Sequence, residues 1–213
     1  MGRRSDVDGR GLLLEAALKL FAEQGVDSVS IRAVNREAGL GPASVHYHFG
    51  TKEALVDAVL HTYGSSVIQD FKARAVEIAA QTGEPVTARD LVTMLAQPYL
   101  DLMATRTGSG RAWVRLVGQL LHSEPDRILD RPSARLMWAA AARVYPHASP
   151  ADVRRAMRMC FTLLVSQLAQ AGAGPRRTLD ADLLVDFLSG GLDAALTRKA
   201  PGQAARTRHP KTA

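Results

Sequence analysis

The residues best suited to chemistry lie in residues 42–49, PASVHYHF. Read as a short helix, the segment places Val45 and Phe49 four apart on one inward face. Ala43, Ser44, His46 and Tyr47 are then left on the outer face or its flank. A phenol, an imidazole, a hydroxyl and a methyl side by side make a poor solvated surface. The same set offers donors, acceptors and a methyl-sized contact, which is what reading base edges in a major groove requires. Two cations flank the segment. Arg32 and Lys52 fall in the first turns of the neighbouring helices, where the helix dipole disfavours positive charge by about 0.3 kcal/mol or more. A nearby phosphate would remove that penalty and also accept bonds from the free helix N–H groups. Glu53, beside Lys52, allows the plainer reading of two tolerated surface cations. The groups between the two cations favour phosphate.

Helices must position these groups, and the composition agrees. Hydrophobic residues make up 46% and aromatics 5%, Ala and Leu are abundant and β-branched runs are scarce, which points to an all-α fold. Asp8 is the expected cap of a first helix ending at Gly25, Ser30 of a second ending at Gly39, and Pro42 opens the third. Thr51 caps a fourth that runs to about residue 80. A capping box at residues 87–90, TARD, starts a fifth with Pro98 inside it, and a sixth spans about 110–122. A seventh covers about 133–144 after PDRILDRP; SPAD at 149–152 starts an eighth, reaching about 171, and a ninth spans about 180–198. About nine helices result, with a tri-helical helix-turn-helix unit at the N-terminus.

The net charge of +6 does not decide the function, because it is unevenly spread. Residues 1–52 carry seven Lys/Arg against six Asp/Glu, and residues 53–197 carry fifteen of each. The last sixteen residues hold five Lys/Arg and no acid, the composition of a disordered basic tail. The single cysteine, Cys160, rules out a disulfide framework and reads as a small core residue. No apolar run reaches the length of a spanning helix, and the N-terminus is not a signal peptide. No membrane association and a cytoplasmic location are therefore expected. Neither a metal site nor a cofactor is expected, since His46 and His48 point apart on a helix.

Residues 10–59, RGLLLEAALKLFAEQGVDSVSIRAVNREAGLGPASVHYHFGTKEALVDAV, resemble the TetR family of repressors. The resemblance rests on the LFAEQG end of the first helix, the SIRAV and AGL segments, SVHYHF, and the K-E-x-L start of helix four. It implies a homodimer whose third helix enters the major groove of double-stranded operator DNA, with an effector-binding and dimerising C-terminal domain. By position, Ala43, Ser44 and His46 match base-facing sites. Ser30, Arg32, Tyr47, His48 and Lys52 match phosphate-contacting ones. The implied division is 1–52 for DNA binding, 53–198 for ligand binding and dimerisation, and 199–213 for the tail. Gly41 departs from the family, which often has Ser or Thr there as an N-cap.

Two features of the remaining chain bear on that expectation. Apolar stripes on helices eight and nine, with Ser189-Gly190-Gly191 in a helix at about 1 kcal/mol per glycine, suit a close helix crossing. Combined with the family's dimer mode they give a four-helix bundle from two subunits, using Met157, Leu164, Phe187, Leu188, Gly191 and Ala195. Met94, Tyr99, Met103, Trp113, Trp138 and Phe161, with His61 and His122 as polar members, are candidates for a pocket for an unidentified small apolar or amphipathic effector. Two other functions compete. An enzyme would need a nucleophile–base pair, paired carboxylates or a metal triad, and no segment offers one. An adaptor that had lost DNA binding would carry acids on helix three or at Lys52, where there are none.

Overall fold

Helices begin where a side chain replaces a missing backbone partner. In the computed structural model, Ser30, Thr51, Thr87, Ser149 and Asp180 each accept a hydrogen bond from the N–H three residues on, at 2.9–3.2 Å. Thr87 and Asp90 close a full capping box, the Asp90 carboxylate accepting the Thr87 N–H at 2.8 Å. The structure describes residues 2–82, 85–105, 108–130, 134–171 and 179–197. The helices are α1 (Gly2–Gln24), α2 (Ile31–Glu37), α3 (Ser44–Phe49), α4 (Lys52–Ala80) and α5 (Ala88–Ala104). They continue with α6 (Gly108–Ser123), α7 (Pro125–Leu129), α8 (Ala134–Val144), α9 (Pro150–Ala171) and α10 (Ala181–Leu196). No strand occurs among the described residues.

Among the described residues there are ten helices rather than the nine expected. The extra one is α7, within PDRILDRP, where the sequence pattern marks no helix. Pro125 suits the first helical position, Asp126 favours the first turn, and the Asp130 N–H bonds to Asp126 O at 3.0 Å. Two other boundaries differ. Asp8 lies inside α1 rather than capping it, while Gly25, at φ +83°, ends that helix as expected. Helix α3 starts at Ser44, two residues after Pro42. The basic tail, 199–213, lies outside the described residues.

Helix α1 buries Leu13, Ala17 and Phe21 completely and packs against α6 as well as against α2 and α4. Helix α4 joins both parts of the chain. Its first turns bury Leu55, Val56 and Val59 beside α1 and α3, and it also packs on α5, α6 and α8. The buried cluster therefore runs without a break across residue 52. Trp113 of α6 is fixed onto α4: its Nε1 donates to Leu60 O at 3.2 Å and its indole covers Gly64. A methyl group at Gly64 would collide with the ring carbons, so this close approach requires glycine. Tyr99 stacks on Trp113 at 5.8 Å between centroids, and Phe161 meets Tyr99 edge-on at 5.9 Å.

Cys160 is 5% exposed, and burial pushes its thiol up to about 12. The folded chain should resist thiol-alkylating reagents at mildly alkaline pH and yield its thiol only after denaturation. The folded pKa lies above the unfolded value of about 8.5, so this group's contribution to stability is lost as pH rises from there towards the folded value. Rapid labelling of the native chain would show that α9 opens locally.

Candidate functional site

The N-terminal unit turns on Asn35. Its side chain is 2% exposed, on the inner face of α2. Nδ2 donates to Pro42 O at 2.6 Å and Oδ1 accepts the Val45 N–H at 3.0 Å. The amide thus holds the turn before α3 and caps the helix from outside. Ala43, the cap residue, supplies no side-chain bond, and Ser44 N–H closes the turn onto Gly41 O at 3.0 Å. The capping hydroxyl missing at Gly41 is replaced by a carboxamide on the preceding helix. Sequence reading passed over Asn35. Its signal was a polar residue next to Val34 on the buried side of a helix, just ahead of a turn.

With α3 so placed, Val45 is fully buried and Phe49 half-buried under the Arg10 guanidinium, 5.0 Å from its centroid. Ala43, His46 and Tyr47 are exposed, Tyr47 at 73%, and Ser44 is half-buried. His46 Nδ1 bonds to Gly50 O at 2.9 Å. A carbonyl only accepts, so Nδ1 carries the hydrogen, and in the neutral ring Nε2 is an acceptor. His48 is half-buried against α1 at Gly9, edge-on to Tyr47. Ser30 and Arg32 are exposed at the start of α2, the Ser30 hydroxyl keeping a proton to donate while its oxygen caps the helix. Lys52 is half-buried, its Nζ 3.5 Å from Asp27 O across the turn after α1. Hydrogen bonds from the α4 backbone and the Thr51 hydroxyl hold the Glu53 carboxyl below its usual range. The eight expected groups thus lie on α2, α3 and the start of α4, around one exposed helix.

The second part of the chain contains an apolar cavity of about 90 Å³. Its walls include Val67 and Phe71 of α4, Tyr99 of α5, Trp113 of α6, Ile128 and Leu129 of α7, and Phe161 of α9. Of the eight candidate pocket residues, Tyr99, Trp113 and Phe161 line it. Met94, Met103 and Trp138 pack elsewhere. Neither histidine lines this cavity. His61 lies on the exposed side of α4, and His122 is exposed on α6, with its Nδ1 on Gly118 O at 2.8 Å.

The dimer expectation also needs correction. Met157 and Leu164 are fully buried within the protomer, so these two face the chain's own core and are unavailable to a partner, while Leu188 is 5% exposed at the floor of the groove between α9 and α10. The outward strip is one step around each helix: Met159 (68%) and Leu163 on α9, Leu183 (65%) and Phe187 (67%) on α10. Gly191 and Ala195 are exposed on the same helix as Phe187.

If the Asn35 amide holds α3, Asn35→Ala should destabilise the chain by about 2 kcal/mol, by leaving the buried Val45 N–H without a partner and freeing the part-buried Pro42 O. Asn35→Asp should be worse despite its near-identical shape, because it aims a carboxylate oxygen at Pro42 O. Urea unfolding of the three proteins is the measurement, and an Asp variant as stable as the parent would remove the donor role.

Comparison with known proteins gives a consistent picture. Residues 13–59 match the family described as bacterial regulatory proteins, tetR family, and residues 93–191 match the tetracyclin repressor-like C-terminal domain. Together the two matches take in more than half of the chain. The HTH-type transcriptional regulator BetI of Rhizobium meliloti is 32% identical over 56% of this chain, and the match spans 56% of its own length. RaaS of Mycobacterium tuberculosis, an HTH-type transcriptional regulatory protein, is 26% identical over 73% of this chain and 81% of its own. Among solved structures, SmeT, the repressor of the Stenotrophomonas maltophilia multidrug efflux pump SmeDEF, has the same fold. Its TM-score is 0.55 at 18% identity, covering 89% of this chain and 91% of SmeT.

Proposed function

The chain belongs to the tetR family of bacterial regulatory proteins, DNA-binding regulators of transcription, and from that premise we propose an effector-released repressor that binds a two-fold operator as a homodimer. The observation that carries the reading is an exposed α3 bearing Ala43, Ser44, His46 and Tyr47, set between Ser30, Arg32 and Lys52 at the starts of α2 and α4. In this reading α3 enters the major groove. The His46 Nε2 accepts from an adenine N6 or cytosine N4 amino group, and Ala43 meets a thymine methyl. Ser30, Arg32, Tyr47, His48 and Lys52 hold phosphates and set the register.

Pairing of two protomers is supported by the strip of Met159, Leu163, Leu183 and Phe187, a run of large apolar groups at helical spacing that a lone chain would leave in water. Gly191 and Ala195 beside it allow close helix approach. Two α3 helices about 34 Å apart would then meet successive major grooves. The cavity supports an uncharged, apolar effector. Trp113 Nε1 is committed to Leu60 O, and the walls hold no charged side chain, so a buried ionic ligand would lose its hydration without return. Occupancy that shifts α4 releases DNA only if the effector prefers the shifted state.

Selection of DNA fragments by the purified chain, followed by affinity against salt, tests this reading. Lys52→Ala should weaken binding to all sequences alike and flatten the log–log salt slope by about one per phosphate contact per half-site. His46→Ala should keep the slope and relax choice at one base pair per half-site, by about 1–3 kcal/mol. Exchange of these two signatures would reverse the assigned roles.

Gly191→Leu tests the pairing. A Cβ at Gly191 meets nothing within 4 Å in the protomer, and leucine favours helix over glycine by about 1 kcal/mol. The lone protomer should therefore gain stability while light scattering reports loss of the dimer. An intact dimer would place the interface elsewhere.

A further inference from the structure

Helix α7 is five residues long, lines the cavity on one side and reaches the start of α4 through Arg127. Ile128 and Leu129 are cavity walls, and Leu129 is 4% exposed. Their neighbour Arg127 reaches the first turns of α4. Its Nη2 donates to Glu53 O at 2.9 Å and its Nε to Asp57 Oδ1 at 3.3 Å, while Nη1 stays on Glu124 Oε2 at 3.0 Å. Only 17% of the Arg127 side chain is exposed. From the other side, Arg158 of α9 donates to Asp126 at 3.2 Å. The one-turn helix is thus held between α9 and the residue that follows Lys52.

A guanidinium mostly removed from water needs partners, yet Glu124 on its own segment would supply one. Asp57 and Glu53 O lie instead on α4, and the second is a backbone oxygen, so the contact fixes the helix itself and not only a side chain. A cavity of about 90 Å³ admits only a very small molecule without moving a wall. Of the helices around it, α7 has the fewest backbone bonds of its own, since one turn barely exceeds a helical nucleus. Displacement of Ile128 and Leu129 carries Arg127 with them.

We infer that Arg127 is a positioning residue which links occupancy of the apolar cavity to the placement of the first turn of α4, and so of Lys52 and α3. The inference rests on the reading of the chain as an effector-released repressor. Outward movement of α7 withdraws the guanidinium from Glu53 O and Asp57, and the start of α4 loses its lateral hold. The link works in both directions: DNA that fixes the start of α4 holds α7 in and keeps the cavity small.

The test uses the full chain and a DNA fragment selected by it, and requires no identified effector. Arg127→Lys keeps the charge and loses the planar fork. Ile128→Trp enlarges the wall from α7 itself and stands in for an occupant. Asp57→Asn removes one partner on an exposed position and serves if Arg127→Lys fails to fold. Arg127→Lys and Ile128→Trp should each lower DNA affinity, within the range of about 5–150-fold usual for coupled sites, at unchanged salt slope. Asp57→Asn should lower it severalfold, although loss of a negative charge alone would raise it. The Arg127→Lys/Ile128→Trp double variant should bind no more weakly than the weaker single, because both break one link. Losses that add, or single variants that bind DNA like the parent, would overturn the inference. A parent chain that selects no DNA would instead overturn the repressor reading on which it stands.

Discussion

Two hydrogen bonds from one buried carboxamide, Asn35 Nδ2 to Pro42 O and Val45 N–H to Asn35 Oδ1, decide where α3 starts and which of its sides is left in water. A helix as short as Ser44–Phe49 has little stability of its own, since few backbone bonds offset the entropy of forming it. Its position comes from outside: the Asn35 amide at one end, Val45 in the core, and Phe49 under Arg10 at the other. The exposure of Ala43, His46 and Tyr47 follows, because those positions remain once Val45 points inward. The hydrogen on His46 Nδ1 is fixed in the same way by Gly50 O, at the far end of the same helix.

The same rigidity extends beyond the first three helices. The core is continuous from α1 through α4 to α6, so the N-terminal unit is not a separate bead on a linker. Helix α4 contributes Leu55, Val56 and Val59 to one side and Val67 and Phe71 to the cavity wall on the other. A packed interior transmits small displacements because it has no free volume to absorb them. The free volume it does have lies at the cavity, beside the shortest helix.

Much of this was legible in the sequence because it is local. The caps Ser30, Thr51 and Ser149, the stop at Gly25 and the capping box at Thr87–Asp90 act within one turn, and the helices fall where those signals put them, whereas Asp8 lies inside α1. What failed was long-range. On α9, Met157 and Leu164 share an apolar stripe with neighbours one step around the helix, and periodicity alone cannot say which edge a neighbouring helix of the same chain covers. Helices α5, α6, α8 and α10 all pack on α9, and together they leave Met159 and Leu163 outside. PDRIL is too short to show a period, so periodicity does not mark α7. The chemistry of His61 and His122 suits a pocket's polar members, but each side chain lies on the exposed side of its helix. Arg127 gave no signal, because its partners Glu53 and Asp57 are seventy or more positions away.

The fit of Trp113 over Gly64 has a consequence for how this sequence can drift. Any side chain at position 64 would meet the indole, and any smaller residue at 113 would leave a void beside a bare stretch of helix and free Leu60 O of its indole partner. Neither position can change alone without loss, whereas a small residue at 113 arriving with a bulky one at 64 would restore the packing. The pair is therefore a barrier in mutational space, and lineages on its two sides would carry differently shaped cavities on the same fold.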